Sequence, residues 1–100
     1  MFRLRSYLYR PPYDMKADVN MARRHWGIPA YEGPLTSRIR KLVDGNPKHG
    51  DAAVRFDQYR TGMTVGDFIS ACDRLDVPNY AVFDITYDSD PKRKLIELYE

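Results

Sequence analysis

The chain has 100 residues, 43% hydrophobic and 30% charged, with sixteen Lys/Arg against fourteen Asp/Glu for a net charge of +2. That length predicts one domain spanning 1–100, able to bury roughly two-thirds of its unfolded surface, and the mixed composition excludes a disordered chain. No apolar run approaches the roughly 20 residues of a membrane span, and the single Cys72 excludes an internal disulfide and offers no zinc-ligand spacing.

The opening MFRLRSYLYR alternates basic and apolar residues and lacks the continuous apolar core of a signal peptide. A reducing, cytoplasmic setting in a bacterium or virus is therefore expected. Charge is unevenly divided: residues 1–50 hold ten Lys/Arg against four Asp/Glu, and residues 51–100 hold six against ten. A basic half suits phosphate or an acidic protein surface. Two unlike halves pairing within one fold would give the same asymmetry.

In chain order, residues 2–9, FRLRSYLY, alternate with period two and predict a strand ended by Pro11-Pro12. Asp14 caps an expected helix to about His25, with Met15, Val19, Ala22 and Trp26 on one apolar stripe and Gly27 as the stop. Residues 28–35 form a connecting loop. Thr36 or Ser37 then starts an expected short helix, SRIRKLVDG, with Ile39, Leu42 and Val43 inward and Gly45-Asn46-Pro47 ending it.

Lys48-His49-Gly50 bridges to the next helix, with Asp51 as its N-cap and Gly62 as its end. Thr64 and Asp67 have the spacing of a capping box. The helix they begin places Val65, Phe68, Ile69, Cys72 and Leu75 on one stripe, which makes Cys72 a core thiol. Residues 81–87, AVFDITY, suit either a β-branched strand or a short helix stopped by Pro91. KLIELY, 94–99, reads as a strand.

The run Asn46-Pro47-Lys48, Gly50, Arg55-Phe56, Tyr59, Gly62-Met63-Thr64-Val65 and Phe68, then Asp84-Ile85, Tyr87-Asp88 and Leu95-Ile96, Leu98, resembles a group of short bacterial and phage proteins of uncharacterised function. Their shared pattern is similar to NPKR-x-G-S, RF-x-x-Y-x-x-GMTV, DL-x-WD and a closing strand. The resemblance covers residues 38–98. Here His49 stands in place of an arginine, Asp51 stands near the usual serine, and Pro91 to Lys94 are additional. The resemblance implies the order helix, helix, helix, strand, the skeleton of a winged helix-turn-helix. The expected fold class is thus α+β, a small helix-rich winged-helix-like domain with a short sheet from its N-terminal and C-terminal strands.

Catalytic and metal chemistry find little support. His25 and His49 are the only histidines, 24 positions apart, and no serine has a Gly-x-Ser-x-Gly setting. Asp84, Asp88 and Asp90 lack the Gly and Glu of a calcium loop and are expected to form a solvated acidic face. No cofactor or metal, and no enzymatic activity, is expected. Arg38, Arg40, Lys41, Lys48, Arg55 and Arg60, joined by His49 and interleaved with Phe56 and Tyr59, are the candidate phosphate contacts. The leading expectation is a nucleic-acid-binding regulatory or accessory module. The alternative is a protein-interaction module such as a phage-encoded inhibitor or adaptor, because eight tyrosines suit an interface.

Overall fold

The computed structural model describes residues 27–100. The strand expected at 2–9 and the helix expected from Asp14 to His25 lie outside these residues. Among them the order is β1 (Arg38–Lys41), α1 (Gly50–Phe56), α2 (Val65–Asp73), α3 (Ala81–Asp88) and β2 (Ile96–Tyr99). The α+β class is as expected, and residues 81–88 are helix.

The segment at 38–41 is a strand, not the helix its Ile39-Leu42-Val43 spacing suggested. Its residues alternate: Ile39 is fully buried between exposed Arg38 and Arg40. β1 pairs antiparallel with β2, Arg38 opposite Tyr99 and Arg40 opposite Glu97. On its other side Ile39 accepts from the Gly62 amide at 2.8 Å and donates to the Met63 carbonyl at 2.8 Å. Backbone partners on both edges outweigh the weak helical preference of a four-residue segment. Gly62 makes this turn with φ +99°, a conformation that L side chains rarely adopt.

α1 also differs from expectation. Its N-cap is His49, with no side-chain hydrogen bond, and Asp51 lies inside the first turn. Gly50, at φ +61°, takes the sharp entry that the sequence assigned to a capping aspartate. The helix ends at Phe56, well before Gly62, because 61–64 must run alongside β1. Asn46 ties the preceding loop to the middle and C-terminal end of the helix, donating from Nδ2 to the Ala53 carbonyl and to Asp57 Oδ1, both at 2.8 Å.

α2 begins as its sequence dictates. Thr64 Oγ1 accepts from the Asp67 amide, and Asp67 Oδ2 accepts from the Thr64 amide, each at 3.0 Å. The Thr64 amide, followed by the Thr64 hydroxyl, holds the Asp67 carboxyl below its ordinary range. Thr64→Ala is expected to cost about 0.5–2 kcal/mol in chemical denaturation, whereas Asp51→Ala removes no cap and should cost less than Thr64→Ala.

The core joins the two halves of the described chain. Ile39, Phe56, Tyr59, Val65, Phe68, Cys72, Ile85 and Ile96 form one buried cluster. The Tyr59 ring stacks on Phe68 at 4.1 Å and meets Phe56 edge-on at 5.0 Å. Burial pushes the Cys72 thiol far above its ordinary value, as expected for an inert core residue.

Candidate functional site

Residues in and around α1 and α3 converge on a buried charge network. Arg55 and Tyr59 are four residues apart across the end of α1, and Asp84 and Asp88 are one helical turn apart within α3. Packing of α1 and the turn after it against α3 matches the pairs. Arg55 Nε donates to Asp84 Oδ2 at 2.5 Å and Nη2 donates to Oδ1 at 3.3 Å. Its Nη1 donates to the Pro78 carbonyl at 3.0 Å, so the fork is spent inside the protein. Tyr59 Oη donates to Asp88 Oδ2 at 2.8 Å. Lys48 Nζ lies 2.6 Å from Asp88 Oδ1, an ion pair.

The network is deeply placed. Arg55 is 3% exposed and Asp88 1%. Burial pushes both carboxyls above their ordinary values. The Arg55 hydrogen bonds and charge pull Asp84 back, and Lys48 does the same for Asp88. Asp84 and Asp88 are therefore not part of a solvated acidic face; each neutralises a cation that the fold brings inside. Asp90, at the end of the helix, pairs with Arg93 at 3.1 Å.

Tyr59 has a measurable consequence. Burial first, then the Asp88 charge and hydrogen bond, raise its phenol well above the ordinary value of about 10. A group that holds its proton more tightly when folded contributes stability that is fully present below the unfolded pKa. That contribution is lost as pH rises through the higher folded pKa. Alkaline unfolding is thus expected to steepen above about pH 10, and Tyr59→Phe should flatten that alkaline limb in fluorescence-monitored titrations.

The seven candidate basic residues do not share one environment. Lys48 and Arg55 line a cleft of about 400 Å³ with Ile28, Ala52, Phe83, Asp84 and Tyr87. Both are internally neutralised, and Lys48 also lies 4.6 Å from the Tyr87 ring centre. Arg38, Arg40 and Arg60 are exposed. Arg38 Nη1 donates to the Gly62 carbonyl at 2.5 Å, and Arg60 Nη1 to the Asp57 carbonyl at 2.6 Å. Arg40 pairs with Glu97 at 2.5 Å and sits over the Tyr99 ring at 4.3 Å. Lys41 is half-buried with Nζ 5.4 Å from the Phe56 ring, and His49 is exposed at the entry to α1.

Two further observations bear on what this surface can hold. Residues 27–100 carry ten Lys/Arg against twelve Asp/Glu, and the first 26 residues carry six against two. The basic excess of the first half thus lies mainly outside the described domain. In addition, every α3 residue is buried or half-buried, and the Tyr31 amide donates to the Val82 carbonyl at 2.9 Å. Comparison with protein-family models, curated proteins and solved structures finds no match for this chain.

Proposed function

We propose that this chain is a small, non-catalytic protein-binding module on a winged-helix-like scaffold. The scaffold reading is supported by the succession of α1, the 61–64 segment laid against β1, α2, α3 and β2. The observation that carries the functional reading is the closure of α3. In a winged-helix protein that reads a duplex, this helix would enter the groove. Here every residue of the helix is buried or half-buried, and its two buried carboxylates are paired within the fold. The Lys48 and Arg55 charges that phosphate would need are neutralised within the fold. Among the described residues the exposed large apolar side chains are Leu35, Leu42 and Val54.

A second reading, nucleic-acid binding, is favoured by one feature: Arg38 and Arg40 are exposed on the same face of β1, beside Tyr99. The two readings separate in a titration of labelled duplex and single-stranded DNA and RNA at physiological salt, followed by fluorescence anisotropy. A protein-binding module should show no binding up to ~100 μM, the weak end of usual non-specific affinities. Binding with a log K against log salt slope near −3, from roughly −0.9 for each of about three phosphates, abolished by replacing Arg38, Arg40 and Arg60 with Ala, would establish the second reading instead.

A further inference from the structure

At neutral pH the buried network balances: Lys48 and Arg55 supply the positive charges, Asp84 and Asp88 the negative ones. The balance is uneven in space. Both cations line the cleft of about 400 Å³ with Asp84, whereas Asp88 is buried beside Lys48, 1% exposed. Neither cation has committed all its donors. A guanidinium carries five N–H groups and an ammonium three. Arg55 commits two to Asp84 and one to the Pro78 carbonyl. Lys48 pairs with Asp88 while its side chain stays 15% exposed. The rest of the cleft wall, Ile28, Ala52, Phe83 and Tyr87, brings no carboxylate.

We propose that this cleft is an acid-gated oxyanion site: protonation of Asp84 and Asp88 unmasks Lys48 and Arg55, which then hold a small tetrahedral oxyanion. The fold can undergo that change without opening. A protonated carboxyl keeps an acceptor oxygen, so Asp84 still receives from Arg55 Nε and Asp88 from Tyr59 Oη. What disappears is the counter-charge, and a buried charge left uncompensated is unfavourable. The cleft gives an anion access to both cations. Burial already holds both carboxyls above their ordinary values. Their protonation therefore favours the folded state as pH falls, and the gate opens in the native protein. The groups facing these carboxyls come from every neighbouring element. Tyr59 follows α1 and Cys72 lies on α2, and burial keeps both protonated. The Tyr80 ring lies 5.3 Å from Arg55 and the Tyr87 ring 4.6 Å from Lys48. Arg93 covers Tyr87 at 3.8 Å and pairs with Asp90.

Isothermal titration of the full chain with sodium sulfate at constant ionic strength, at pH 7 and at about pH 5, tests this. Sulfate keeps its charge across that range, so a change in affinity belongs to the protein. Binding is expected to be tighter at the lower pH by roughly tenfold or more, within the usual range for linked sites, and accompanied by proton uptake. Asp88→Asn fixes the neutral form and should bind sulfate at pH 7. Lys48→Met should abolish binding at both pH values. Histidine is the other side chain that titrates in this window, and His25 and His49 are the only two. A chain carrying His25→Gln and His49→Gln should keep the acid-dependent binding. Equal affinity at the two pH values, or no binding at about pH 5, overturns the proposal. So does binding that survives Lys48→Met or is lost with the histidines. A folded Asp88→Asn that takes no sulfate at pH 7 overturns it as well; if that variant does not fold, the wild-type comparison and Lys48→Met still decide.

Discussion

Arg55→Ala is expected to bring the domain close to unfolding. Arg55 is 3% exposed and donates three hydrogen bonds, two to Asp84 and one to the Pro78 carbonyl. Removing one partner of a buried pair leaves the other charge uncompensated and typically costs about 3–5 kcal/mol. Small domains have only about 5–15 kcal/mol in total. The penalty belongs mainly to the abandoned Asp84 carboxylate, which has a directional consequence. Arg55→Ala with Asp84→Asn should be less destabilised than Arg55→Ala alone, because the amide carries no charge to strand. Urea denaturation of the two variants checks this ordering. Equal stability of Arg55→Ala and wild type would mean that the guanidinium is solvated.

Asp88→Ala is the second large effect. The carboxylate serves two partners at once, accepting from Tyr59 and pairing with Lys48. Its loss orphans a buried phenol, which costs about 1–3 kcal/mol. It also releases Lys48, whose side chain is 15% exposed and can extend toward water. Asp88→Ala should therefore be destabilised more than Tyr59→Phe and more than Lys48→Met. Its pH dependence has a definite sign. The folded carboxyl lies above its ordinary value, so its contribution is greatest below the unfolded pKa of about 4 and falls as pH rises through the folded pKa. The stability gap between wild type and Asp88→Ala should widen as pH is lowered from neutrality toward about 4. This effect is read by urea denaturation across that range, as a difference between the two proteins.

Much of the helical architecture was legible because it is written locally. Thr64 and Asp67 state their capping box in four residues, and the Val65, Phe68, Cys72 stripe states which face of α2 is inward. β1 was not legible, since Arg38-Ile39-Arg40-Lys41 is too short for its period to outvote the neighbouring Leu42 and Val43. Its identity comes from two partners, 62–63 and β2, distant in sequence. The charge network was misassigned for a related reason. Basic residues near Phe56 and Tyr59 look alike whether they face solvent or a carboxylate 29 or 40 positions away. The available signal was the repeated spacing of four, Arg55 to Tyr59 and Asp84 to Asp88. It marks two matched pairs only once α1 and the turn after it are known to pack against α3.

Lys48, Arg55, Tyr59, Asp84 and Asp88 pair with one another inside the fold at neutral pH, which leaves them unavailable to a ligand. A double-mutant cycle on Lys48 and Asp88 checks this, using Lys48→Met, Asp88→Asn and the combined variant in urea at neutral pH. Residues within one buried network couple by about 0.5–3 kcal/mol, and a coupling in that range is expected. Additive effects, with Lys48→Met as stable as wild type, would contradict it and return Lys48 to the surface as a residue free to bind phosphate.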